Sequence, residues 1–166
     1  MKNKTTSLIL TVVSVLCAIS VVLTVIALIV SGKPDKTPPF YQFTDDAVMG
    51  YPAVTDEQQL YIISNCNQNF QAYVCRNALI NGKTLSVGFT NPADSRVLIQ
   101  LYIYGENGRY LGKSGLLKEE NYIMDLQLER EPKNGEILTY KVICYEYDTY
   151  YSLGVAVGEG VAVEDL

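Results

Sequence analysis

The sequence predicts an all-β domain behind one N-terminal transmembrane helix, and three observations predict it. A charge-free apolar run opens the chain, alternation of period two takes over from about Leu60, and Asn-Gly dipeptides recur between the alternating runs.

The apolar run comes first. No charged residue lies between Thr5 and Gly32, and Leu8 to Val30 is broken only by Thr11, Ser14, Ser20 and Thr24. At 1.5 Å per residue that run reaches about 34 Å, enough for a tilted helix across a hydrocarbon core of about 30 Å. Serine and threonine are tolerated there because their hydroxyls can bond back to a carbonyl of the preceding turn. A cleaved signal peptide needs a shorter apolar core, whereas Val21 to Val30 continues apolar beyond the small residues Ala18 and Ser20. Residues 7–31 are therefore expected to be an uncleaved signal anchor and 1–6 a cytoplasmic stub. Lys2, Lys4 and the free amine precede the span with no acid among them, which places the remainder outside by the positive-inside rule.

Residues 32–56 contain Pro34, Pro38, Pro39 and Pro52 and follow no clear period, as expected of an extended extracytoplasmic stalk. Its aromatics Phe40, Tyr41 and Phe43 suit the membrane interface or packing back on the domain; a docking segment for a partner is the other reading.

From residue 57 to 166 the pattern is that of strands. Leu85, Val87 and Phe89 alternate with Ser86, Gly88 and Thr90, and Met124, Leu126 and Leu128 with Asp125, Gln127 and Glu129. Leu138, Tyr140, Val142 and Cys144 repeat the pattern, each a half-buried strand. Val97 to Tyr104 is interrupted only by Gln100 and reads as a central strand. Strands are expected near 58–64, 71–80, 84–90, 97–104, 109–113, 121–130, 136–146 and 151–163. Asn81-Gly82, Asn107-Gly108 and Asn134-Gly135 supply turns of the type I′ kind, which need positive φ. Asn91 to Asp94 and Gly158 to Gly160 add two more. Seven or eight short strands at this density imply an antiparallel β-sandwich, with an immunoglobulin-like arrangement leading and a partly closed barrel as the alternative.

Composition narrows the chemistry. The 166 residues include no histidine and no tryptophan, which removes Ser-His-Asp and Cys-His catalysis and every His-liganded metal. The net charge is −5. Setting aside Lys2 and Lys4 leaves 11 basic against 18 acidic residues beyond the span, a net of −7. Such an acidic chain is a poor candidate for binding nucleic acid, which needs a basic face, and no nucleic-acid partner is expected.

Phe89-Thr90-Asn91-Pro92, Tyr110 to Leu117 and Tyr145-Glu146-Tyr147-Asp148-Thr149 together resemble a pattern of small membrane-anchored extracytoplasmic β-sandwich proteins of Gram-positive bacteria, over about residues 71–155. Glu119-Glu120-Asn121 stands where such chains often carry a Pro-Gly turn. The resemblance implies the fold and the anchor, and it brings no catalytic residue with it.

The remaining candidates are few. An extracytoplasmic location permits one disulfide, Cys66–Cys75 or Cys75–Cys144, and spacing does not choose between them. Adjacent carboxylates at Asp45-Asp46 and Glu119-Glu120 could serve a glycosidase only from opposite sides of a cleft; as neighbours in turns they read as solvated. Asp45, Asp46 and Asp56 lack the alternating oxygen ligands of a calcium loop, and no Cys-x-x-Cys spacing exists for zinc. Serine with lysine is the nucleophile–base combination open to a His-free chain; Lys113-Ser114 is adjacent and not arranged as Ser-x-x-Lys, in a segment suited to a turn or kink. Neither a metal nor a cofactor is expected. The tyrosines are the most suggestive feature: Tyr145, Tyr147, Tyr150 and Tyr151 cluster before the last strand, and tyrosine gives rigid contact area at low entropy cost. The sequence thus points to a non-catalytic extracytoplasmic interaction module, anchored in the cell membrane through residues 7–31, with a protein or cell-wall partner. A carboxylate enzyme or accessory domain acting on envelope carbohydrate is the alternative.

Overall fold

The computed structural model describes residues 12–24, 42–65 and 70–164. The chain divides into two units, residues 1–36 and 37–166.

In the first unit residues 12–24 form helix α1, about 20 Å long at 1.5 Å per residue. Ser20 Oγ donates to the Cys17 carbonyl at 2.9 Å and Thr24 Oγ1 to the Ser20 carbonyl at 2.8 Å, so these hydroxyls are satisfied within the helix. Among the described residues no helix is long and apolar enough to cross a membrane. The stub 1–6 and the flanks 7–11 and 25–31 of the expected span lie outside the described residues.

The second unit is all β. Its strands are β1 (Val48–Met49), β2 (Leu60–Asn65), β3 (Phe70–Cys75), β4 (Asn77–Asn81), β5 (Thr84–Asn91), β6 (Leu98–Tyr104), β7 (Tyr110–Lys113), β8 (Asn121–Gln127), β9 (Ile137–Tyr145) and β10 (Ser152–Glu164). They make one continuous curled sheet in the order β1-β8-β5-β4-β10-β9-β6-β7, with the β2–β3 hairpin branching from β5 through the pair Tyr73–Thr90. The all-β expectation stands, but the pairing forms one sheet where alternation alone predicts two facing sheets. It is also mixed: β4 and β10 run parallel, with Val161 opposite Asn77 and Val163 opposite Leu79.

The curl brings the ends of the sheet together. Leu128 N–H donates to the Lys83 carbonyl at 2.8 Å, and Glu129 N–H donates to the Leu111 carbonyl at 2.7 Å. One dipeptide thereby joins the β4–β5 turn to β7. The interior holds Leu85, Val87 and Phe89 of β5, Ile99, Leu101 and Ile103 of β6, and Leu138, Tyr140 and Val142 of β9, all fully buried. These are the apolar phases of the period-two pattern.

Two local features break that period. The strand expected over 71–80 divides at Arg76, whose N–H donates to Gln59 and whose carbonyl accepts from Val161; the chain changes partner there, from β2 to β10. In β5 the register against β8 slips between Ser86 and Phe89. Gly88 sits at this bulge with φ +53, and a Cβ on it would lie 2.8 Å from Cys75 Sγ. Both the left-handed backbone and the close approach require glycine. Beyond the bulge Thr90 and Asn91 are fully buried, although alternation assigns Thr90 to the wet face.

The Asn-Gly dipeptides serve three different turns. Only Asn107-Gly108 has both residues at positive φ, 60° and 70°. In the β4–β5 hairpin Asn81 pairs with Thr84, so Gly82-Lys83 forms the tip with positive φ at Gly82 alone, the II′ pattern. Gly135, at φ +80, closes a turn in which Glu136 N–H donates to the Lys133 carbonyl. That turn is no hairpin, because β8 and β9 are not neighbours. The turn expected at Gly158 to Gly160 is continuous strand within β10. A Cβ on Gly158 would meet Tyr61 and Ile63, and one on Gly160 would meet Tyr140.

Candidate functional site

Neither proposed disulfide forms: Cys75 and Cys144 are buried free thiols. Cys66 lies outside the described residues. Cys144 Sγ instead donates to the Gly154 carbonyl at 3.4 Å.

Lys113-Ser114 is structural. Ser114 Oγ accepts from Leu101 N–H at 2.9 Å and donates to the Gly115 carbonyl at 2.7 Å, while the Ser114 carbonyl accepts from Gln100 Nε2 at 2.8 Å. The serine is buried and its hydroxyl is fully engaged. Lys113 Nζ lies 5.8 Å from the centre of the Tyr102 ring. A nucleophile needs a base in hydrogen-bond reach, and the lysine packs on a tyrosine instead.

The carboxylate pairs are surface features. Asp45 and Asp46 are exposed on the rim of a groove of about 310 Å³ shared with Lys113, Asp125 and Gln127. Asp125 accepts from Ser86 Oγ. Asp56, the third member of the calcium reading, is not on that rim, and among the described residues no group of three could hold a metal. Glu119 and Glu120 are exposed in a turn with Glu120 at φ +58.

The tyrosine segment is more ordered than its polarity suggests. Glu146 N–H donates to the Tyr151 carbonyl and Tyr150 N–H to the Glu146 carbonyl, both at 3.0 Å. Thr149 Oγ1 donates to the Glu146 carboxylate and accepts from Tyr151 N–H. Tyr150 takes a left-handed φ of +57. The four tyrosines do not share one surface. Tyr145 is 4% exposed and forms a satellite core with Leu98 and Leu116 on the outer face of the sheet. Tyr147 and Tyr150 are half-buried against that core, and Tyr147 Oη accepts from Glu119 N–H at 3.2 Å. Tyr151 alone is strongly exposed, at 73%. After it Leu153 and Val157 of β10 are 37% and 62% exposed. The exposed side chains thus run from Tyr151 along β10, while the other three tyrosines pack on Leu98 and Leu116.

Residues 42–44, in the middle of the expected stalk, complete this region. Thr44 N–H donates to the Leu116 carbonyl at 3.1 Å, and Leu116 N–H donates to the Gln42 carbonyl at 2.8 Å. Between these bonds Phe43 packs on the satellite core, and Lys118 Nζ stands 5.1 Å over its ring, within cation–π range. A groove of about 330 Å³ lined by Phe43, Thr44, Ala47, Leu116, Lys118 and Asn121 continues from it. Phe43 therefore packs on the domain; Phe40 and Tyr41 lie outside the described residues. Sequence reading singled out Phe43 but had no sign of its seat, because Leu98, Leu116 and Tyr145 meet only through tertiary pairing.

No protein-family model, curated protein or solved structure matches the chain.

Proposed function

We propose that the chain is a non-catalytic interaction module, held outside the cell by an N-terminal membrane anchor and binding a protein or cell-envelope partner. The observation that carries this is Tyr151: a tyrosine 73% exposed on a turn pinned by backbone and side-chain hydrogen bonds, continued by Leu153 and Val157. A rigid aromatic beside exposed aliphatic residues loses little conformational freedom when a partner covers it. The anchor reading is supported by the charge-free stretch Thr5 to Gly32, within which α1 lies. Such a role needs an all-β body with one ordered end, and does not depend on an immunoglobulin-like strand order.

A photo-crosslinking residue placed at position 151 of the full chain in intact cells tests the surface, with position 83 as an exposed control. A discrete adduct from 151 and none from 83 is expected. Adducts from neither position, or identical adducts from both, would overturn the assignment. Cleavage of the β-domain by protease added to intact cells is the expected result for the orientation.

A further inference from the structure

Phe43 is seated against Leu98, Leu116 and Tyr145 by a segment of its own chain. Gln42–Thr44 attaches as a parallel bridge through two backbone hydrogen bonds to Leu116. Gly115 makes this approach possible, since a Cβ there would lie 2.7 Å from Thr44 N and 2.8 Å from the Gln42 carbonyl oxygen. The seat itself is held independently of the segment. Leu98 is opposite Tyr145 in the β6–β9 ladder. Leu117, next to Leu116, exchanges hydrogen bonds with Ile99 in both directions, at 2.8 and 3.1 Å. The segment is an imperfect occupant: Thr44 Oγ1 is buried without a hydrogen-bond partner, which costs free energy relative to water. Space also remains beside it, in the groove that runs past Leu116 to Lys118 and Asn121.

We propose that Gln42–Thr44 is a removable strap, and that the seat beneath it takes in its place an extended partner peptide carrying an aromatic residue at the position of Phe43. Backbone bonds to Leu116 would give such a peptide its affinity and the Leu98–Leu116–Tyr145 pocket its side-chain preference, as in strand addition generally. This rests on the interaction-module reading and names a site and a partner chemistry for it.

Amide exchange of the full chain in detergent tests the strap. Thr44 and Leu116 N–H groups should exchange at least about tenfold faster than Leu117 and Ile99 N–H groups, which do not depend on it. A synthetic peptide of residues 38–46, titrated against the full chain carrying Phe43→Ala, should then slow Leu116 exchange and leave Leu117 unchanged, while the same peptide with alanine at position 43 should not. If the alanine variant loses Leu117 protection, Phe43→Leu replaces it. Equal exchange at Leu116 and Leu117 in the unaltered chain would overturn the strap. Fast exchange with no response to the peptide would overturn the docking site. Either failure leaves the crosslinking result at Tyr151 untouched, so the two readings fail separately.

Discussion

Arg130 grips Glu136 through both terminal nitrogens of its guanidinium, and the glutamate, 3% exposed, also accepts Lys133 N–H at 2.9 Å and Glu106 N–H at 3.3 Å. One carboxylate thus ties the β6–β7 turn to the entry of β9. The Arg130 hydrogen bond, aided by those backbone donors, holds Glu136 down to about 2, and the same bond raises Arg130. A depressed carboxylate stabilises the fold above its unfolded value of about 4.5, and that stability fades as pH falls towards 2. Chemical denaturation across this window should show a loss of about 2–3 kcal/mol on acidification. Glu136→Gln should flatten that loss and lower stability at neutral pH by about 2–4 kcal/mol, because it leaves Arg130 half-buried without its charge partner. A Glu136→Gln stability curve parallel to that of the unaltered chain would contradict this.

Tyr140 is fully buried, its hydroxyl has no hydrogen-bond partner, and burial holds the phenol protonated well above its usual range. Tyr140→Phe should therefore leave the melting temperature unchanged or raise it. Tyr61 provides the contrast: its hydroxyl donates to the Glu159 carbonyl at 2.7 Å, and Tyr61→Phe should cost about 0.5–1.5 kcal/mol. Calorimetry of the two variants side by side gives the comparison, and a larger loss at Tyr140 would count against it.

Gly88→Ala should destabilise the fold by at least the roughly 1–2 kcal/mol of a left-handed alanine, with more from the contact of its Cβ with Cys75 Sγ. Cys75→Ala on that background should recover the contact part and not the backbone part. A double-mutant cycle measures the coupling; additive effects would mean that the sulfur does not limit the site.

Burial pushes the Cys75 thiol up to about 11 and raises Cys144, so little thiolate exists at neutral pH and none is accessible. Neither should react with a maleimide in the native chain, and both should react on unfolding. Peptide mass spectrometry after labelling reads this directly, and native labelling of either residue would show that the sheet opens there.

Much of the sheet was legible from the sequence because its interior repeats every two residues. Leu85, Val87 and Phe89 and then Leu138, Tyr140 and Val142 face inward as their spacing implies. Pairing was not legible. Nothing local in Asn77–Asn81 says that it runs parallel to β10, and nothing in Gly158–Gly160 says that its glycines clear space for Tyr61 and Tyr140 instead of forming a turn. The tyrosine cluster was found by composition, but which ring faces solvent was set by Phe43, Leu98 and Leu116, partners that lie far from it in the chain. Glu136 and Gln100 were missed for the same reason: each is polar in sequence and buried only by its partners.

Strand β10 turns only glycine and alanine inward, at Gly154, Ala156, Gly158, Gly160 and Ala162, while Leu153 and Val157 face out. The longest strand of the domain thus supplies almost none of its core volume; it is a thin wall against which larger neighbours close. Sequence drift along β10 is therefore constrained with a rhythm of two. At Gly158 and Gly160 an added carbon would collide with Tyr61, Ile63 and Tyr140, whereas the outward positions are free to exchange one surface character for another without disturbing the fold that carries them.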